Sequence, residues 1–267
     1  MFSDKVIIIT GSTQGIGLKT AEMLAQRGAR LVINSRSEQK VDVAVAKLRQ
    51  ITPHVVGLAG DVSDYASCIQ LRNLALDSFG RIDILINNAG IASGGLIKEI
   101  VPEAYEKVVR INLLGSIHPT LACVEEICRQ KGSILFIGSV AGIVGLPSYS
   151  AYSATKRALV GLAESLRSEL SDDGVFVGIN YPGFTENDEQ KTMLNARGEE
   201  EVLRKRSGVK AVKQDKTAGQ IIRQLEKRKF RMYSSFSALA IQWIYRFFPG
   251  LTLNILRHYR HKITSMQ

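Results

Sequence analysis

The sequence predicts an α/β protein with a parallel sheet covered by helices on both faces, followed by a C-terminal helical extension. Two observations support this class. Short runs such as Val6–Ile9 and Ser133–Ile137 are apolar nearly throughout, which is typical of strands buried on both faces. Longer segments with helical spacing lie between them. Because parallel strands need crossover connections, this alternation favours a single sheet with right-handed crossovers.

The elements follow one another without a repeat or a linker, so we predict one domain over residues 1–233 and the extension over residues 234–267. The predicted strands are Val6–Ile9, Leu31–Ile33, Val55–Leu58, Ile84–Ile86, Ser133–Ile137, Val175–Ile179 and Phe230–Tyr233. The predicted helices of the domain are Leu18–Arg27, Glu38–Gln50, Tyr65–Phe79, Ala104–Arg129, Tyr152–Leu170 and Thr217–Lys229.

The charge of the chain is concentrated near its end. The 267 residues are 45% hydrophobic and 22% charged, which excludes a disordered or collagen-like chain. Residues 1–196 contain 19 basic and 20 acidic residues, whereas residues 197–267 contain 16 and 5, so the net charge of +10 belongs to the last part. A neutral body with a basic tail favours a local basic surface, and we expect no nucleic acid partner.

Cysteine usage and targeting signals point to a reducing compartment. Cys68, Cys123 and Cys128 form no C-x-x-C pair, so we expect neither a disulfide framework nor a metal site, and we predict three buried thiols in a cytoplasmic protein. The apolar run at Val6–Ile9 is too short for a signal peptide, and the sequence contains no stretch of 18 apolar residues that would span a membrane.

A glycine-rich motif follows the first predicted strand directly. Gly11, Gly15 and Gly17 are spaced G-x-x-x-G-x-G at a strand-to-helix turn. Such a turn allows close approach of a ligand to the backbone, and the helix that follows offers N–H groups and a positive dipole end to a pyrophosphate. A tight turn that packs a helix on a sheet is the alternative interpretation.

Further motifs occur in a fixed order over residues 5–185. Asp61-Val62 follows the third strand, and Asn88-Ala89-Gly90 follows the fourth. Asn112 lies in the long central helix, Ser139 ends the fifth strand, Tyr152-x-x-x-Lys156 comes next, and Pro182-Gly183 follows the sixth strand. Together with the glycine turn, this set resembles the short-chain dehydrogenase/reductase family. The resemblance implies a Rossmann-type doubly wound sheet and a nicotinamide cofactor.

The Tyr152 and Lys156 pair suits proton transfer to an oxyanion. A tyrosine hydroxyl with a pKa of about 10 is a poor acid–base partner at neutral pH, but a lysine at i+4 shares its helix face and favours the phenolate. The resemblance assigns Tyr152 as general acid/base and Lys156 as the group that lowers its pKa and holds the nicotinamide ribose. It assigns Ser139 to polarise the carbonyl and Asn112 to hold a relay water.

Cofactor choice depends on the end of the second strand, where Ser35-Arg36 stands in place of a carboxylate. A basic residue there accommodates the 2′-phosphate of NADP, and we predict NADP; a solvated Arg36 that also permits NAD is the alternative. Asp61 is expected either at the adenine or as a turn residue. The resemblance extends the predicted cofactor contacts to Gly11, Ser12, Thr13, Gly15, Ile16, Gly17, Val62, Asn88, Ala89, Gly90, Tyr152, Lys156, Pro182, Gly183 and Thr185.

The substrate loops indicate an uncharged ligand. Residues 91–96 and 140–150 are small or apolar and contain no arginine or histidine, so we expect a hydrophobic ketone or secondary alcohol. A third loop covers residues 184–213.

The segments Ile111–Pro119 and Ala151–Glu169 resemble reductases of long-chain ketones, including 3-ketosphinganine reductases. The family implies a homo-oligomer. The alternative is a cofactor-binding docking module with little catalysis.

The C-terminal extension combines charge with an apolar helix face. Residues 204–231 contain 11 basic and 2 acidic residues, and aromatic or aliphatic residues repeat at helical spacing from Phe236 to Phe248, where Pro249-Gly250 breaks the helix. This pattern is typical of a helix lying in a membrane interface, so peripheral membrane contact is one prediction. The other prediction is that the extension packs on the domain, forms a dimer contact or covers the substrate site as a lid.

Overall fold

The computed structural model describes residues 1–186, 191–203 and 211–260. Its ten strands are β1 Val6–Ile9, β2 Arg30–Ser35, β3 Val55–Ala59, β4 Ile84–Asn87, β5 Ala92–Ser93, β6 Ser133–Ile137, β7 Phe176–Tyr181, β8 Thr192–Leu194, β9 Glu200–Val202 and β10 Arg231–Tyr233. Seven of them form one parallel sheet in the order β3-β2-β1-β4-β6-β7-β10. The predicted Rossmann-type fold is therefore confirmed, with its strand order reversing between β1 and β4.

Helices cover both faces of this sheet. They are α1 Gly15–Ala25, α2 Glu38–Arg49, α3 Tyr65–Phe79, α4 Pro102–Val109, α5 Gly115–Arg129, α6 Ser150–Glu169, α7 Gln214–Lys227, α8 Phe236–Phe247 and α9 Pro249–His258. Buried residues of α1, α2 and α7 form one core with the sheet, and those of α3, α5 and α6 form the other. Because successive strand side chains point to opposite faces, Ile7 and Ile9 belong to the first core while Val6 and Ile8 belong to the second.

The sequence patterns did not indicate a small second sheet. The strand β8 pairs in parallel with β5 and antiparallel with β9. These strands are only two or three residues long, too short to produce a readable hydrophobic period. The hairpin of β8 and β9 lies between two undescribed segments, 187–190 and 204–210, which contain part of the predicted substrate loop and of the basic segment.

The predicted helix Ala104–Arg129 is interrupted. It begins at Pro102, a residue suited to the first helical position, and a π-helical turn at residues 110–114 separates α4 from α5. Periodicity could not show the extra residue per turn that this segment contains. The π turn places Asn112 in the protein interior, where its side chain is fully buried.

The prediction of three buried thiols is wrong for one of them. Cys68 and Cys123 are buried on α3 and α5, whereas Cys128 is half-buried because it lies near the C-terminus of α5. Burial raises the pKa of Cys68 and of Cys123 to about 12. These two thiols therefore remain protonated and unreactive at neutral pH.

The extension forms two helices that meet at a proline. The helix α8 is capped by the Ser235 side chain, which accepts from the Ala238 N–H, and Pro249 occupies the first turn of α9. Within the described ranges, no helix is long and apolar enough to span a membrane. The predicted division at residues 233/234 stays a prediction.

A buried carboxylate joins the starts of β1 and β4. Asp83 is 2% exposed and accepts hydrogen bonds from Lys5 Nζ at 2.8 Å, from Arg81 Nε at 2.9 Å and from the Val6 N–H at 3.0 Å. Burial by itself raises the pKa of Asp83, but the bonds from Arg81, Lys5 and Val6 outweigh burial and hold the pKa below its usual range.

We expect Asp83→Asn to lower the free energy of unfolding at pH 7 by about 1 to 3 kcal/mol, because the buried charge-assisted bonds are lost. The folded pKa of Asp83 is depressed, so its stabilisation is present above about pH 4 and is lost as the pH falls further. Urea unfolding of the wild type and of Asp83→Asn, measured between pH 7 and pH 3, gives the difference in their free energies of unfolding. We expect this difference to become smaller as the pH falls. The exposed Asp77→Asn is the control; an equal loss at every pH would contradict the assignment.

Candidate active site

The glycine-rich turn connects β1 to α1 at the point where the strand order reverses. Gly11 has φ +60° and Gly15 has φ +58°, backbone conformations that favour glycine. The side chain of Gln14, the N-cap residue of α1, makes no capping hydrogen bond, and the first turn of the helix contains no acidic residue. The N-terminal N–H groups and the helix dipole therefore present a positive site suited to a pyrophosphate.

The glycines also serve the packing that the alternative interpretation proposed. A Cβ on Gly17 would lie 2.5 Å from Asn88 Nδ2 and 2.5 Å from the Gly11 carbonyl oxygen. A Cβ on Gly11 would lie 2.8 Å from the Ala89 Cα. The turn thus lies directly against the segment that follows β4, as the packing interpretation expects, and the pyrophosphate contact stays a prediction.

Thr10, which opens the glycine-rich motif but had no predicted role, organises this contact. Its Oγ1 accepts from the N–H groups of Asn88 and Ala89, both at 3.0 Å. In return, Asn88 Nδ2 donates to the carbonyls of Thr10 at 3.0 Å and Gly11 at 2.8 Å. The Asn88 side chain, a predicted cofactor contact, is therefore occupied in holding the turn. The only signal for Thr10 was its position between the strand and the first glycine.

Ser12 is also occupied internally. It is fully buried, and its Oγ donates to the Ile9 carbonyl at 2.6 Å and accepts from the Asn34 N–H at 3.1 Å. This pair of bonds ties the turn to β1 and β2. Thr13 and Ile16, the other predicted contacts of the turn, are half-buried beside it.

The end of β2 lies beside a cleft. Arg36 Nη2 lies 3.5 Å from Glu200 Oε1 of β9, and both side chains are about half exposed. The Ser35 Oγ accepts from the Ser37 N–H at 3.4 Å. A cleft next to this pair is lined by Arg36, Asp61, Ser63, Glu103, Glu106, Lys107, Arg110 and Ile111.

Asp61 has the geometry of a turn residue. Its Oδ1 accepts from the Ser63 N–H at 2.8 Å, while Asp64 is the residue that caps α3. Asp61 also lines the cleft beside Arg36, so the two predicted residues of the adenine end share one cavity. Val62 is buried between the sheet and α3.

Ser139 lies just beyond β6, and Tyr152 and Lys156 lie on α6. Ser139 follows the end of β6 and is half-buried, and its Oγ accepts from the Ala141 N–H at 3.2 Å. Tyr152 and Lys156 are one turn apart at the start of α6, with Lys156 Nζ 5.8 Å from the centre of the Tyr152 ring. The Lys156 Nζ donates to the Ile137 carbonyl at 2.8 Å, so the lysine reaches the same strand end as Ser139.

The Lys156 ammonium is held in an unfavourable environment. The residue is 5% exposed. Burial, together with the charge of Lys191 nearby, lowers the pKa of Lys156 to about 8. An anionic group at this position would therefore be favoured. Lys191 was not among the predicted residues, because its position before β8 gives no local signal.

Asn112 and Gly90 complete the region around Lys156. Asn112 Oδ1 accepts from the Ile91 N–H at 2.7 Å, and its Nδ2 donates to the Ile91 carbonyl at 3.0 Å and to Thr155 Oγ1 at 3.3 Å. A Cβ on Gly90 would lie 3.1 Å from Asn112 Oδ1 and 3.4 Å from Lys156 Nζ. The Asn112 side chain thus holds the loop after β4 against α6.

The segment after β7 packs against the extension. A Cβ on Gly183 would lie 2.7 Å from Ser235 Oγ, and Pro182 is half-buried beside it. Thr185 Oγ1 donates to the Gly183 carbonyl at 3.2 Å and lies 3.3 Å from Thr217 Oγ1. Residues 187–190 that follow, which include Asp188 and Glu189, are outside the described residues.

Arg157 is a further residue that sequence reasoning missed. Its Nη1 donates to the carbonyls of Gly142 and Ile143, in the loop that follows Ser139. Its guanidinium also lies over the Tyr245 ring of α8, 5.8 Å from the ring centre. Arg157 therefore couples the substrate loop to the C-terminal extension.

Comparisons with known proteins agree with this arrangement. The family model described as short chain dehydrogenase matches residues 5–198. An uncharacterised oxidoreductase of Thermotoga maritima is 36% identical over 206 residues, covering 76% of this chain and 81% of the relative. A 3-oxoacyl-acyl-carrier-protein reductase of Synechocystis is 35% identical, covering 69% and 75%.

A solved structure gives the same result for the fold. The short-chain dehydrogenase/reductase from Burkholderia phymatum, in complex with NAD, matches with a TM-score of 0.82 and 26% identity, covering 94% of this chain and 96% of that one. The matched region of the family model includes the glycine turn, Ser139, Tyr152 and Lys156. This chain is a member of the short-chain dehydrogenase/reductase family of oxidoreductases.

Proposed function

We propose that the protein is an NADP-dependent oxidoreductase that interconverts an uncharged, hydrophobic ketone and its secondary alcohol, with Tyr152 as the general acid/base. The observation that supports this most strongly is the placement of Tyr152 one turn before the buried Lys156, whose Nζ reaches the strand end that carries Ser139. A surface tyrosine and lysine with no common role would not explain why the ammonium is buried.

The cleft suits a dinucleotide. The uncapped N-terminus of α1 and the left-handed Gly11 and Gly15 fit a pyrophosphate, and Arg36 fits a 2′-phosphate. The remaining predicted contacts have expected positions along the same molecule: Asp61 and Val62 at the adenine, Ala89 and Gly90 along its middle, Lys156 at the ribose, and Pro182, Gly183 and Thr185 at the nicotinamide. When bound, the cofactor supplies or accepts the hydride at the carbonyl carbon.

Ser139 and Tyr152 have complementary tasks at the carbonyl oxygen. The Ser139 hydroxyl accepts from the Ala141 N–H and keeps its own proton to donate to that oxygen. Tyr152 delivers a proton as the oxyanion forms and removes it in the reverse direction. Asn112 holds the loop after β4 in place and, by the family resemblance, a relay water at Lys156.

Lys156 stabilises the phenolate form of Tyr152. Its ammonium gives one hydrogen bond to the Ile137 carbonyl, and two protons remain for other partners. Because burial disfavours its charge, the lysine gains free energy from a nearby anion, whether a phenolate or a cofactor oxygen. The same burial that lowers the pKa of Lys156 therefore strengthens its effect on Tyr152.

Apolar residues around the site favour a hydrophobic substrate. In the loop after Ser139, the side chains from Val140 to Val144 are buried, while Leu146 is half-buried. Ile97, directly after the loop of residues 91–96, and Phe184, in the loop of residues 184–213, are exposed. The 3-oxoacyl-acyl-carrier-protein reductase relative acts, by its name, on a keto group of an acyl chain, which supports a ketone here. A lipid-like substrate, a homo-oligomer and a cytoplasmic location stay predictions.

Tyr152→Phe should lower kcat for ketone reduction by about 10²- to 10⁴-fold, because the proton donor is lost while the ring remains. NADPH oxidation across ketones of increasing chain length identifies the substrate, and the variant is then assayed on the best one. NADPH binding, followed by its fluorescence, should be unchanged. Tyr65→Phe, on the exposed side of α3, is the control. Retained turnover would refute the assignment, and inactivity of the wild type across the panel would favour the docking module.

Arg36→Ala should raise KM for NADPH by about 10- to 100-fold, since charge-assisted bonds to the 2′-phosphate are lost, and should leave KM for NADH little changed. Arg27→Ala, at the opposite end of α1 from the glycine turn, is the control. Steady-state kinetics with NADPH and with NADH measure the ratio of the two KM values in each protein. Equal changes for the two cofactors would mean that Arg36 does not read the 2′-phosphate.

A further inference from the structure

The C-terminal helices expose an apolar surface, here called the α8–α9 face. Its members are large hydrophobic side chains that are 45% to 85% exposed: Phe236, Trp243, Ile244, Phe247, Phe248, Leu251, Leu253, Ile255 and Tyr259. Single exposed apolar residues are ordinary, but a continuous group on two adjoining helices marks an interaction surface.

The orientation of α8 explains why this face is open. Ala238 is fully buried, and Ile241 and Tyr245 pack against the second core, so these residues fix one side of α8 to the body. Trp243 and Phe247 lie on the outer side and stack with ring centres 5.6 Å apart. The sequence pattern predicted an apolar stripe, and the structure divides it into residues that pack inward and residues that point outward.

The helix α9 adds to the outer side without a core of its own. None of its residues is buried, and it packs on α8. A ten-residue helix is marginal in water without tertiary packing. Leu251, Leu253 and Ile255 therefore gain little from the body and have apolar surface left to bury.

The charged side chains of the chain from residue 227 onward have one sign. Residues 227–267 contain eight lysine and arginine residues and no aspartate or glutamate. Arg246 and Arg257 are exposed on α8 and α9. At the start of α8, Phe236 and Ser235 line a cleft together with Lys216 and Lys229, which are also exposed. Cationic groups thus surround the aromatic side chains.

We infer that the α8–α9 face docks in the plane of an anionic lipid surface, with its aromatic and aliphatic side chains among the acyl chains and its cations at the phosphate headgroups. Charge complementarity favours this occupant over a second copy of the chain. A two-fold contact would place the same patch on itself, so cations would face cations with no carboxylate from residues 227–267 to pair with them.

Trp243 reports directly on this face, because it is the single tryptophan of the sequence. With the full chain, vesicles of phosphatidylcholine and phosphatidylglycerol should shift its emission to the blue and carry the protein into the pellet. Pure phosphatidylcholine vesicles should bind at least about tenfold more weakly, and added salt should weaken binding to the anionic vesicles.

Two sets of variants separate the contributions. Phe247→Ser with Leu251→Ser should reduce binding to the anionic vesicles by more than about tenfold, because buried apolar surface is lost. Arg246→Gln with Arg257→Gln should reduce it by about 25-fold, at about fivefold for each of the two cations. The matched controls, Val43→Ser with Leu121→Ser and the exposed Arg223→Gln, alter other surfaces and should bind as the wild type does.

The inference fails if Trp243 emission and pelleting are the same with and without anionic vesicles. It also fails if light scattering shows a dimer that the Phe247 and Leu251 changes dissociate while vesicles bind neither protein, since the face would then join two copies. Thermal unfolding of each variant establishes that it is folded. The readout is binding, so a failure of the proposed enzyme activity would leave this result unaffected.

Discussion

The site depends on how the chain turns at the reversal of strand order between β1 and β4. Both strands are buried on both faces, so only their ends are available for chemistry, and the loops that leave them must diverge. Thr10 and Asn88 hold these loops together by reciprocal hydrogen bonds, and the glycines allow the close contact. The N-terminus of α1 carries no side-chain cap from Gln14 and no acidic residue in its first turn. The proposed cofactor site and the fold thus depend on the same few residues.

Burial of Lys156 links the fold to the proposed chemistry. The Lys156 side chain extends from α6 to the end of β6, where it donates a hydrogen bond to the Ile137 carbonyl. Its ammonium is less stable there than in water, because burial lowers the pKa of Lys156. An ammonium with a pKa of about 8 responds strongly to any anion that enters. A surface lysine, screened by water, would have a much smaller effect on Tyr152. The folded chain thereby places a buried positive charge beside Tyr152 before any substrate binds.

Patterns local in sequence predicted most of the fold and the composition of the site. Strand runs, helix periods and the Tyr152–Lys156 spacing depend on neighbours within one element, so they are readable without the structure. The roles that were missed depend on partners far along the chain. Asn88 and Ser12 hold backbone groups, Arg157 reaches the loop after Ser139, and Arg36 meets Glu200 from an unpredicted strand. The partner of a polar side chain is decided by tertiary packing, which periodicity does not contain.

The helix α8 joins the outer face to the loops of the site. Its first residues touch Gly183 through Ser235, and its Tyr245 ring lies against Arg157, which holds Gly142 and Ile143. Trp243 and Phe247 point outward from the same three turns. A lipid surface that binds these rings would therefore restrain the helix on which both loops rest. A hydrophobic ketone dissolved in that lipid would then lie close to the loops next to α8, so the inferred membrane contact and the proposed hydrophobic substrate are compatible with each other.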